Sequence, residues 1–244
     1  MFAARSSPRT SSTPGHGWPD TPAFWPDSRW SGRCSRGKIV GMDLELPGDE
    51  LARDAVALVW RDTSKPIANH SVRSFLFARM IAEHQGLRAG HDYDGELVFL
   101  SCVLHDIGLT DAGNGEQRFE VDGADRAATW LTERGLDAAR VDTVWEAIAL
   151  HTSIGIAHRR GPVCALTQAG IGMDFGKNAE LLSGTDAERV HTAYPRLELS
   201  RTLVDEITAQ ITARPEKAPD YSMPAMLHQE RLVSGITALE RRSP

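Results

Sequence analysis

His105-Asp106 closes the apolar run Cys102-Val103-Leu104 and stands just before Ile107-Gly108. An apolar helix would carry this pair into the interior, and Gly108 would let the chain turn away without a Cβ clash. A buried imidazole beside a buried carboxylate is costly unless something compensates both, and a divalent cation does so. Taken alone, the dipeptide also reads as a packed core histidine beside a carboxylate that caps the next turn. Four further positions line up with the pair. Asn69-His70 stands early in a preceding helix, with Arg73 on the same face one turn on. His151 ends a later helical run, and Asp174 follows Gly170 and Gly172, two glycines that would let backbone approach a ligand closely. His70 and His105 are 35 residues apart, and Asp106 and Asp174 are 68 apart. An antiparallel helix pair returns to its starting level over the first distance, so a shared site is geometrically available.

The elements that must position these residues read as helix after helix. Asp49 caps Glu50–Trp60, which puts Leu51, Ala55, Leu58 and Val59 on one side. Pro66 suits the first turn of a helix over Ile67–Gln85, with Gly86 as its stop. Asp94 caps Gly95–His105, whose nearly continuous apolar text predicts the most buried helix. Asp122 is expected to cap Gly123–Arg134, and Asp137 a helix running to Leu150 or His151. After Gly161-Pro162, a short helix over Val163–Ala169 should give way to a glycine turn, Gly170–Asp174. Ala187–Tyr194, Leu199–Thr212 and Leu227–Arg241 complete the set. No stretch sustains the period-2 alternation of a strand. The expected fold class is all-α: a helical bundle over 42–215 as a single domain, with 216–244 as a C-terminal helical appendage.

Residues 1–41 differ in kind. They hold six Lys/Arg against two acids, a net +4, so the rest of the chain carries −10 of the total −6. Rich in Ser, Pro, Gly and Trp and without periodicity, they read as a disordered N-terminal tail. Met42 opens the helix entry MDLELPGDE, which suggests a tail translated upstream of the true start. The tail lacks the apolar h-region of an export signal, and no apolar run approaches the ~18 residues of a membrane span. The acidic balance argues against a phosphate-backbone binder and hence against a nucleic-acid partner. Three cysteines (Cys34, Cys102 and Cys164) without CxxC spacing suit a reduced, cytoplasmic setting.

The order His70, His105-Asp106, Asp174 resembles the metal site of the HD-domain metallohydrolase superfamily, an all-α fold. The blocks NHSVRSFLFA (69–78), ELVFLSCVLHDIGLT (96–110), RFEVDGADRAA (118–128), WEAIALHTSIGIA (145–157) and GIGMDFG (170–176) are similar to its cyanamide hydratase-like branch. Over roughly 47–210, the resemblance implies that His70, His105, Asp106 and Asp174 bind one divalent metal ion, Zn, Fe or Mn. It implies a hydratase or hydrolase adding water to a small nitrile-like substrate, with His151 and Asp106 as catalytic groups. Many phosphohydrolase relatives carry a lysine shortly after the pair, where Leu109 and Thr110 stand here. The alternatives are an HD phosphohydrolase acting on a nucleotide or phosphomonoester, and a non-catalytic metal-bearing scaffold or sensor.

Other readings remain open for several residues. His151 serves equally as a helix C-terminal cap. Arg73 is either a substrate contact or half of a salt bridge to Asp106 or Glu120. Glu120 is expected to orient a ligand or water. Asn69 is expected at the substrate or on local backbone. Cys102 and the set Phe75, Phe77 and Phe99 read as core. His84, His91, His158, His191 and His228 sit in polar text and read as surface groups. A homodimer is compatible with an all-α bundle, and nothing in the sequence specifies its interface.

Overall fold

A computed structural model describes residues 43–242. The expected tail over 1–41, the Met42 start and Cys34 lie outside the described residues. Ten α-helices follow in order: α1 Glu50–Asp62, α2 Lys65–His84, α3 Gly95–Leu104, α4 Phe119–Glu133, α5 Ala138–Ala149, α6 Pro162–Asp174, α7 Gly184–Ala193, α8 Leu199–Ala213, α9 Met223–Ser234 and α10 Ala238–Arg242. Among the described residues no strand forms; a single isolated bridge joins Ala89 to Tyr93. The all-α class is as the sequence predicts.

Three helix starts follow from the predicted caps. Asp49 accepts from Ala52 N at 2.9 Å, Asp94 from Leu97 N at 3.1 Å and Asp137 from Arg140 N at 3.1 Å. Each satisfies a backbone N–H that the first helical turn leaves without a partner. Asp122 does not play this part. α4 begins at Phe119, one turn earlier, so Asp122 lies inside the helix and is spent on a buried ion pair with Lys217.

α2 and α6 form the spine. Ser71, Val72, Phe75 and Leu76 of α2 are buried, as are the eight residues Leu97–Leu104 of α3 that pack beside it. Phe75 meets Phe99 edge to face at 4.9 Å, and both belong to the main apolar cluster with Phe77 and Cys102. The expected turn over Gly170–Asp174 is instead the last turn of α6. Gly170 is not there for a ligand. A Cβ at that position would stand 2.2 Å from Ser74 O, so the glycine lets α6 lie directly on α2. This contact carries Asp174 up to His70.

A second apolar cluster joins Ile67 and Phe119 to Leu199, Leu203, Val204, Ile207 and Ile211 of α8 and to Leu227 of α9. It seats α8 over the N-terminal ends of α2 and α4. The single helix expected over Leu227–Arg241 is divided, because Gly235 adopts φ +70° and ends α9.

Candidate metal centre

His70 projects from the second turn of α2, while His105 and Asp106 follow the last residue of α3. The turn after them is held by close backbone contact rather than by an unusual dihedral. A Cβ on Gly108 would lie 2.0 Å from Phe119 O, and one on Gly123 would lie 2.9 Å from Gly108 N. Gln210 of α8 donates to Gly108 O at 2.9 Å and closes the turn from the other side. His70, His105 and Asp106 are each no more than 2% exposed, and one ligand atom from each falls within 4.8 Å of the others.

The hydrogen bonds fix which nitrogens are available. Nδ1 of His105 contacts Cys102 O at 2.7 Å, and a carbonyl can only accept, so Nδ1 carries the proton. Nδ1 of His70 donates in the same way to Asp174 Oδ2 at 2.6 Å. The two Nε2 atoms then face one another at 3.2 Å, each with a lone pair. Oδ2 of Asp106 stands 3.0 Å from Nε2 of His105 and 3.9 Å from Nε2 of His70, buried and without a hydrogen bond. Two imidazole nitrogens and a carboxylate oxygen converging in a dry interior call for a cation or a proton between them. Two nitrogens and an oxygen make a donor set that suits a divalent transition metal.

A proton is the only substitute, and the electrostatics show the competition. Burial pushes the His70 ring down, toward the neutral form, against the pull of Asp174. Burial also works against charge on His105, yet the Asp106 carboxylate outweighs it and raises this ring above the ordinary imidazole value. Burial raises Asp106, but His105, with His70 and His151 behind it, holds the carboxyl well below the usual range. A proton on Nε2 of His105 would occupy the place of a metal, so metal binding and protonation of this ring compete.

His151 completes the ring of imidazoles. It caps α5 through Nδ1, which donates to Ile148 O at 2.7 Å, and it also faces the site. Its Nε2 lies 4.0 Å from Asp106 Oδ1, and its ring meets His105 edge to face at 5.0 Å. Burial lowers it to about 3, so it is a neutral acceptor at pH 7. Phe119 packs on His151 and Phe175 on His70, and these rings exclude water from both flanks.

Asp174 is brought to His70 but on its far side. Arg73 binds it with both faces of a guanidinium fork, Nε to Oδ1 at 2.9 Å and NH2 to Oδ2 at 2.7 Å. Arg196 adds a bond to Oδ1 at 3.0 Å and another to the backbone O. Burial raises the carboxyl, and His70 and Arg73 more than reverse this, holding it far below the ordinary range. Its oxygens are engaged before any ligand arrives.

Three residues expected at the substrate are engaged with protein groups. Arg73 pairs with Asp174, not with Asp106 or Glu120, and its NH1 donates to Tyr194 O and Pro195 O. Asn69 donates to Pro195 O at 2.7 Å. Glu120 is fully buried and raised by burial, with its oxygens taken by Arg118 and by Thr152 Oγ1 at 2.5 Å. His191, expected at the surface, is half-buried with Nε2 3.9 Å from Asp174 Oδ1. Arg196, Lys217 and Phe175 carried no local signal, because their partners lie far away in sequence. Cys102 is inert, its thiol pushed up to about 12 by burial.

A bundle of helices closing a buried His, His, Asp cluster over a capped α3 makes an all-α domain with a cluster that could hold a metal ion. Residues 67–187 match the HD domain family. It is also similar to two proteins of Saccharomyces cerevisiae, cyanamide hydratase DDI2 and cyanamide hydratase DDI3. Each is 26% identical over 155 residues, which cover 62% of this chain and 68% of the relative.

Proposed function

We propose that the chain is a metal-dependent hydratase that adds water to the C≡N group of a small nitrile-like molecule, cyanamide being the first candidate. The observation that carries this reading is the meeting of the His70 and His105 Nε2 lone pairs with Asp106 while both Nδ1 protons are fixed elsewhere. Likeness to the two yeast cyanamide hydratases supports the choice of substrate class. Leu109 and Thr110 support it too, since they bring no cation beside the pair to meet a phosphate.

His70, His105 and Asp106 would hold a single divalent cation, which when bound acidifies a water and polarises the nitrile. Asp174 fixes the tautomer and orientation of His70, in the manner of a carboxylate behind a metal-binding imidazole. Asp106 Oδ1 and His151 Nε2 face a common space, and both can accept a hydrogen bond from the attacking water. As oxygen adds to the nitrile carbon, a proton passes to Nε2 of His151. From Nε2 the proton passes on to the substrate nitrogen. Water and cyanamide together give urea, with no other product.

Purified protein loaded with Zn²⁺, Fe²⁺ or Mn²⁺ should release urea from cyanamide, and Asp106→Ala should release none. Absence of urea from wild-type protein of full metal content would overturn the hydratase reading, and orthophosphate release from a nucleotide panel would replace it with phosphohydrolysis.

A further inference from the structure

A cavity of about 360 Å³ opens on the side of Asp174 away from the cluster, between the end of α6 and α7. This volume falls in the range of roughly 300–1,000 Å³ that small-molecule sites occupy. Its apolar wall includes Phe77, Met173 and Leu182, and its polar wall is Asp174, His191, Arg196 and Arg242. Asp174 already carries two guanidiniums, Arg73 from behind and Arg196 at the rim, and Arg242 adds a third cation. The neighbouring acid, Asp186, is turned to its own helix start, where Ser183 Oγ donates to it at 2.7 Å. His191 Nε2 is buried and makes no hydrogen bond, since Asp174 Oδ1 at 3.9 Å is beyond reach.

We propose that this cavity is a binding site for a small oxyanion, a carboxylate or phosphate group on a compact molecule, held by Arg196 and Arg242 with His191 as a further donor. A guanidinium fork matches the paired oxygens of either group. The apolar wall takes the remainder of the molecule. Arg196 would be shared between the anion and Asp174, so the site borders the metal centre through one side chain without using any of its proposed metal-binding atoms. The inference is independent of the hydratase reading.

Calorimetric titration of the metal-free full chain tests it, with inorganic phosphate in one arm and acetate in the other, at constant ionic strength made up with chloride. Omitting metal keeps phosphate from binding at the cluster. One saturable site per chain is expected in at least one arm, and the arm that binds identifies the group. Arg242→Gln, at an exposed position, should weaken that binding about five- to tenfold, as loss of a charge-assisted contact does. Ala187→Trp, which fills the cavity and leaves its charges, should abolish it while metal content stays at the wild-type level. No saturable binding beyond chloride, or equal binding by wild type and both variants, overturns the proposal.

Discussion

Asp106 and Asp174 are both buried carboxylates beside His70, yet they should respond differently to substitution. Asp106 Oδ2 is the oxygen without a hydrogen bond, so Asp106→Ala removes a donor and should abolish metal binding on elemental analysis. Asp174→Asn keeps the volume and weakens only the hold on His70. It should lower metal affinity by about ten- to hundredfold, the usual cost of losing a partner behind an imidazole. Complete loss of metal in Asp174→Asn would instead make it a direct ligand. At this scale the sequence exposed the cluster, because His-Asp at a helix end is a local pattern. It did not expose the partners of Arg73 and Asn69. Arg73 finds Asp174 101 positions away and Asn69 finds Pro195 126 away, and no local spacing encodes such partners.

Helix periods, caps and stops in the sequence placed most elements. One failure occurs where glycine has a reason other than a turn. Gly170 and Gly172 read as a break, but the first is a packing position on which α6 depends. Gly170→Ala should push α6 off α2, destabilise by ~1–3 kcal/mol as overpacking does, and loosen metal binding as Asp174 shifts. Urea unfolding with a metal titration checks both effects. Lys217 makes a second case. It is fully buried against Asp122 and holds Gly115 O, so it clamps the loop between His105-Asp106 and α4 from beyond α8. Lys217→Met leaves Asp122 charged and unpaired, a loss of about 3–5 kcal/mol. Lys217→Met with Asp122→Leu should recover most of it, and a double variant as unstable as the single one would deny that the charge is the cause.

For the molecule as a whole, the pKa shifts set how the metal-free protein responds to acid. His70 and His151 are held below the ordinary imidazole value, so the unfolded chain takes up protons that the folded chain refuses. Stability from these two is therefore present above the ordinary value near 6.5 and is lost as pH falls below it. His105, raised by Asp106, acts in the opposite sense, with stability present at low pH and lost as pH rises through its raised value. His191, also lowered by burial, acts with His70 and His151, so with three groups against one the metal-free melting temperature should fall between pH 7 and pH 5, and His151→Gln should flatten that slope. An unchanged slope in the variant would remove His151 from the account. The burial of His70, His105 and Asp106, none more than 2% exposed, also has a kinetic meaning. An ion enclosed so completely can exchange only when α2, α3 or α8 opens, so chelators should strip it at a rate set by that opening and independent of their concentration. A metal captured as the chain folds would then leave only as fast as that opening allows, and the identity of the cofactor would for that time record where folding took place.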